Sequence, residues 1–276
     1  MNTTVDCLYR YCIKYWNATQ FSILAGIFSY YFVENFILSE SWEVLTLRSI
    51  DDYAMQDSVR SMQNALLTGN WTRVFSFFDY AYGNAFWLLN SILLLPLYFI
   101  NDAQTMIVVG RQISLIFVFG SIYIISLIID RMRPDAGSLK YPILIALATM
   151  PMVSIISTKL HVNAQSVFFG ILSFYLLIRS TEISIRSMLY SALFAGMAIG
   201  FKLTGGFIVP LLFITIINRL RKRGLKNAAI GTAGYLATTI AIAAVCTAPA
   251  LLIFPFYFDE LGSTYKTFLL FKNMAS

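Results

Sequence analysis

The chain has 276 residues, of which 58% are hydrophobic and 12% charged, with a mean hydropathy of +0.70 and a net charge of +6. Soluble domains carry about 25% charged residues, so this composition excludes an ordinary soluble globular protein and indicates an integral membrane one. The basic excess sits in short loops between apolar runs, which argues for membrane topology, with anionic head groups as a second role, and against nucleic acid as a partner.

The first apolar run begins near Phe21 and predicts a helix to Ser39. No small-residue cleavage site follows it, so it reads as an uncleaved membrane helix. Glu34 and Asn35 fall near its end, and an acid at membrane depth is a functional candidate.

Residues 40–84 form the first outer loop. Within it, Met55, Val59, Met62 and Leu66 recur at steps of three and four, the period of a helix with one apolar face. Ser49 and Asp51 are suited to cap its start and Gly69 to end it. The expected element is an amphipathic helix on the membrane surface. Asp51 then has two readings, a helix cap or a general base held at the interface.

Further apolar runs are Asn84–Ile100, Met106–Ile129, Tyr141–Thr158, Asn163–Ile178, Met188–Ile217 and Asn227–Phe258. A spanning helix needs roughly 17–25 residues, and backbone amides cannot go unpaired in lipid, so these runs are helices. Gly205-Gly206 and Pro210 predict that Met188–Ile217 is two short helices. The fold class is all-α: a polytopic transmembrane helical bundle with an amphipathic juxtamembrane helix, one integral membrane domain over residues 1–276.

Arg219–Lys226 holds five basic residues and no acid, which places it in the cytoplasm. Alternation then puts Arg179–Arg186 and Asp130–Lys140 inside, and the Lys159–His161 turn, Lys202 and Thr204 outside. With the N-terminus also inside, Asn84–Ile100 is either re-entrant or interfacial, or a neighbouring assignment fails. Asp51, Asp52, His161, Lys202 and Phe254–Glu260 gather at the outer face, with Arg111 near it.

Cys7, Cys12 and Cys246 have no metal-ligand spacing and read as unpaired thiols. His161 is the only histidine, and one histidine does not make a zinc site. Asn17-Ala18-Thr19 and Asn70-Trp71-Thr72 match the glycosylation sequon.

Several of these stretches together resemble the GT-C fold glycosyltransferases that use polyprenyl-phosphate sugars, such as protein O-mannosyltransferases and lipid A aminoarabinose transferases. Asp51-Asp52 is similar to the acidic pair that follows their first transmembrane helix. Phe78-Asp79-Tyr80-Ala81-Tyr82-Gly83 resembles the end of their first outer loop, and Arg111 an arginine that opens a family helix. Ser157–Asn163, leading into Phe168, Leu172 and Tyr175, resembles a His-x-Asp stretch, with Asn163 where many members have Asp. Ala195–Gly205 is similar to a Gly-x-x-x-Gly pattern followed by Lys and Gly; Pro249 and Phe254–Asp259 resemble the next outer loop.

The resemblance implies transfer of a sugar from a polyprenyl-phosphate donor to a protein, lipid or glycan on the extracytoplasmic side. It implies Asp51 and Asp52 as catalytic residues and Arg111 and Lys202 as donor-phosphate ligands. Asp79, His161 and Asn163 are implied as substrate-binding residues. Its partners are the lipid-linked donor, membrane lipids and an acceptor protein or glycolipid. No cofactor or metal ligand set is assigned, although some members use a divalent cation. The implied location is a bacterial or archaeal plasma membrane, or the endoplasmic reticulum. Members are usually longer, so the chain is read as a truncated or minimal member, or one that works with a partner. The competing class is a transporter or a non-catalytic membrane subunit, since broken helices also build transport sites.

Overall fold

The structure, a computed structural model, describes residues 3–38, 50–76, 82–100, 102–134, 139–179, 184–221 and 224–247. It is an all-α bundle, with no strand among those residues. The first helix, α1, runs Thr3–Ile37 and starts well before the apolar run at Phe21.

α2 covers Ile50–Leu67. Met55, Val59 and Met62 are buried as the sequence period requires, and Leu66 packs against the same cluster. The chain leaves α2 through Gly69, whose φ of 68° is left-handed, a conformation glycine adopts without steric cost. Asp51 lies inside the first turn of α2, one residue past its start, so it is not the residue that caps it. α2 is also more deeply seated than a surface helix: Gln56, Ser58 and Gln63 are buried as well. A short α3 follows at Trp71–Ser76.

Asn84–Ile100 is not one continuous helix. It forms α4, Asn84–Leu93, and a single turn α5, Leu95–Tyr98, broken at Leu94. Pro96 sits in the first turn of α5, where a missing amide hydrogen costs nothing. α4 would reach only about 15 Å at 1.5 Å per residue. It packs on α2 instead: Gln63 Nε2 donates to the Ser91 carbonyl (3.2 Å), and Ser91 Oγ donates to the Val59 carbonyl (3.2 Å).

α6 spans Ala103–Met132. α7 (Lys140–Ala148) and α8 (Pro151–Ser157) meet at a 61° bend. Pro151 starts the second helix because its ring cannot continue the first. α9 is Val162–Ile178 and α10 is Ile185–Phe201. A 3-10 segment, Leu203–Ile208, then leads into α11, Val209–Leu220, with Pro210 in its first turn. This is the break expected inside Met188–Ile217. α12 covers Leu225–Thr247.

α6 and the apolar part of α12, Ala228–Thr247, are each long and apolar enough to cross a membrane, and the bent pair α7–α8 makes a third if counted as one span. The chain is therefore a membrane protein. α10 lies between α9 and α12, and α9 packs on α6.

α6 and α9 run side by side in one direction, as do α10 and α12, and the turns between them gather at two chemically distinct ends. At one, Arg219 Nη1 donates to the Leu177 carbonyl (2.8 Å) and Arg131 Nε to the Ile178 carbonyl (3.2 Å). Both arginines thereby serve the unpaired carbonyls and negative pole at the end of α9. Arg133, Lys140, Arg179, Arg186, Arg221 and Lys226 adjoin the same ends of the helices. The other end holds Lys202 and is roofed by α2, α4 and α5. One apolar cluster there joins Met55 and Val59 of α2, Phe86 and Trp87 of α4, Met106 of α6, Leu160, Val162 and Phe201.

Candidate functional site at the Lys202 end

α10 ends where Lys202 turns extended, at φ −153° and ψ 130°. The surrounding glycines fix that point in space. A Cβ on Gly200 would stand 2.3 Å from Cβ of Cys246 in α12, and one on Gly205 2.2 Å from the Ala198 carbonyl oxygen. Small residues let the two helices and the returning 3-10 segment close on one another. Gly83, which leads into α4, donates its amide to the Phe201 carbonyl (3.1 Å). This tie carries Tyr82 to Lys202: Nζ lies 5.7 Å from the Tyr82 ring centroid, within cation–π range.

Lys202 Nζ also donates to Asn163 Oδ1 at 3.0 Å. Asn163 is in the first turn of α9, capped by His161, whose Nδ1 accepts from the Asn163 amide (3.1 Å). A neutral imidazole bonded in this way carries its proton on Nε2. The His161 amide in turn donates to Ser114 Oγ (3.0 Å). Ser114 is fully buried on α6, three residues beyond Arg111, a spacing that puts both on one helix face. Arg111 itself is only 2% exposed.

The chain Ser114–His161–Asn163–Lys202 thus connects α6, α9 and the end of α10, with Arg111 one turn before Ser114 on α6. Four of the residues expected to act together are brought to one end of the bundle. Tyr82 stood within a motif but had no role assigned, and Ser114 was not anticipated. Ser114 was legible only as the helical neighbour of Arg111.

Asp51 and Asp52 enter α2 one turn before Met55, whose side chain belongs to the cluster that also holds Leu160, Val162 and Phe201. The side chains of Asp51 and Asp52 lie outside the described residues, as do Asp79, Pro249 and Phe254–Glu260. Among the described residues no three His, Cys, Asp or Glu side chains group as metal ligands.

Beside Asn163 a cavity of about 270 Å³ opens between α9 and the 3-10 segment, lined by Ser166, Gly170, Thr204, Gly205 and Phe207 among others. Phe207 is 86% exposed at its mouth.

Two further polar contacts brace the site from behind. Asn90 of α4 and Gln165 of α9, both fully buried, exchange amide hydrogen bonds of 3.1 and 2.8 Å. Asn35 of α1 donates to Gln112 Oε1 (3.3 Å) and to the Ser157 carbonyl (3.2 Å), tying α1 to α6 and α8.

Comparison with family models, with curated proteins and with solved structures gives no match to this chain. Fold and site define an all-α membrane protein with a cationic and amide-rich cluster at one end of its bundle.

Proposed function

We propose that the chain is a multi-pass membrane glycosyltransferase of the GT-C kind, moving a sugar from a polyprenyl-phosphate donor to an acceptor at the extracytoplasmic face. The observation that carries it is the held position of Lys202, anchored on Asn163 and Tyr82 at the end of the bundle that also holds buried Arg111. A cavity of about 270 Å³ lined in part by Asn163 adjoins this position. A lipid phosphate needs both parts: cations for its head and a lateral way in for its chain.

The topology behind this reading follows the charge split. Arg131, Arg133, Arg179, Arg186, Arg219 and Arg221 belong to the cytoplasmic end by the positive-inside bias. That leaves Lys202, His161 and the α2–α5 roof outside. α4 and α5 belong to the roof and add no crossing, so the N-terminus and the Arg219–Lys226 loop share a side.

In the proposed reaction, Asp51 takes the proton of the acceptor hydroxyl. That oxygen forms a bond to the anomeric carbon as the bond from that carbon to the phosphate oxygen breaks. The electron pair leaves on the phosphate, where Lys202 and Arg111 stabilise the added charge. Fixed positive charge at such a position is usually the largest catalytic term. Asn163 and Tyr82 hold Lys202, and Asp52, Asp79 and His161 contact the sugar or acceptor.

A transporter would concentrate its charges near mid-depth. Between α9, α10 and α12 the buried hydroxyls of Ser173, Ser191 and Tyr235 bond one another at 2.9–3.4 Å and carry no charge. Lys202 stands at the end of α10 and Arg111 in the first third of α6, nearer that end of the bundle than its middle, which favours the transferase.

The test is release of polyprenyl phosphate from a synthetic polyprenyl-phosphate sugar by membranes containing the full chain. At normal expression Asp51→Asn should abolish it and Lys202→Met should lower it by about 10²–10³. Undiminished release by Asp51→Asn removes the base assignment, and no release by the unaltered chain with any donor sugar removes the transferase.

A further inference from the structure

At the opposite end of the bundle a second cavity, about 480 Å³, lies between the start of α10, the end of α11 and the first half of α12. Its size falls in the range of about 300–1,000 Å³ that ligand sites occupy. Its walls include Met188, Leu189, Ala192, Leu220, Ile230 and Gly234. Gly234 faces open space: a Cβ built there meets nothing within 4 Å. The hydroxyl of Tyr235 is turned to Ser191 (3.0 Å), and the Thr238 hydroxyl donates to the Gly234 carbonyl (2.8 Å). Both wall hydroxyls are thus already engaged, and the remaining surface suits hydrocarbon.

The mouth has the opposite chemistry. Arg186 and Arg221 are the chain neighbours of the lining residues Ile185 and Leu220, and Lys226 stands one turn before Ile230 on the same helix face. All three side chains are exposed, and the described charged residues around this opening are all cationic. Ile185 at 78% exposure and Ile230 at 61% continue the apolar wall outward.

We propose that this groove is a binding site for one anionic phospholipid, its acyl chain lying against Gly234 and its phosphate held by Arg186, Arg221 and Lys226. Charge complementarity decides the occupant. A partner helix or a second copy of the chain would fill an apolar groove equally well, but neither requires a rim of cations. The inference does not rest on the transferase reading, because the groove and the Lys202 cluster lie at opposite ends of the bundle.

The test is native mass spectrometry of the full chain in detergent, titrated with phosphatidylglycerol and phosphatidylcholine of identical chains. One phosphatidylglycerol should bind at a concentration at least tenfold below that needed for phosphatidylcholine. Neutralising the rim as Arg186→Gln, Arg221→Gln and Lys226→Gln should erode that preference by about fivefold per cation, the effect typical of a cation near an anionic surface. Gly234→Trp should weaken both lipids by at least tenfold. Should that variant not fold, Gly234→Leu gives the same readout with less added volume. Equal binding of the two lipids, a preference that survives loss of all three cations, or a dimer in place of the lipid adduct would each overturn the proposal.

Discussion

The ammonium of Lys202 sits 3.0 Å from the side-chain oxygen of Asn163, so the last residue before the break in Met188–Ile217 is pinned to the first turn of α9. Each backbone is bent at that contact. Lys202 leaves the helix in an extended conformation, and His161 caps α9 with its imidazole. Two helix ends meeting through polar side chains make a rigid cationic point, which a lysine snorkelling freely to the head groups would not provide.

Replacing Lys202 by Met should therefore lower donor turnover by about 10²–10³, the usual cost of one lost transition-state donor. Asn163→Leu should leave the charge in place but unanchored, and lower turnover by less. Rates for both variants, measured as polyprenyl phosphate released, check the order. Equal, full activity in both would detach this pair from the chemistry.

Gly83→Ala should be severely destabilising. The added Cβ would fall 1.7 Å from the Gly200 carbonyl oxygen, and backbone on both sides must move. Overpacking of this kind costs about 1–3 kcal/mol or more. Gly26→Ala in α1 meets nothing within 4 Å and should stabilise by about 0.5–1 kcal/mol through helix propensity. Thermal unfolding of the two variants in one detergent should shift in opposite directions.

Asn90→Leu or Gln165→Leu alone should each destabilise by about 1–3 kcal/mol, because the partner amide is left buried and unsatisfied. The double variant should recover part of that loss. A double-mutant cycle on unfolding measures the coupling, and simple additivity would mean that the reciprocal pair seen at 3.1 and 2.8 Å contributes nothing as a pair.

Asp102 caps α6, accepting from the Gln104 and Thr105 amides. The hydroxyl of Thr105 above all, helped by these two amides and the charge of Arg60, holds its carboxyl below the usual carboxylate range against the opposing effect of burial. A depressed folded-state value means the stabilisation is present above the unfolded carboxyl range and disappears as pH falls through the folded value. Asp102→Ala should cost about 1 kcal/mol at neutral pH. The gap in melting temperature between variant and parent should close as the carboxyl is protonated in strong acid. A gap that stays constant from neutral to acid pH would mean the charge plays no part.

Much of the architecture is legible along the chain. The stripe Met55–Val59–Met62 predicts both the helix and its buried face, because a 3.6-residue period survives whatever the helix packs on. The break at Lys202 is equally local, since glycine and proline act on their own backbone. Asn84–Ile100 is different. Its hydropathy resembles that of a span, yet Asn90 and Ser91 are buried against Gln165 and α2, and apolarity by itself does not distinguish lipid from protein as the covering.

Local order along the chain therefore determined the membrane character, the helical class, the amphipathic α2 and the cationic bias of one end, since each depends on residues a few positions apart. Only the tertiary structure decided that Ser114, His161, Asn163 and Lys202 form one connected cluster, one turn from Arg111 on α6. Those contacts join positions separated by 39 and 47 residues. They exist because glycines at the end of α10 admit close backbone approach, and nothing in the local sequence specifies which distant chain will occupy that space.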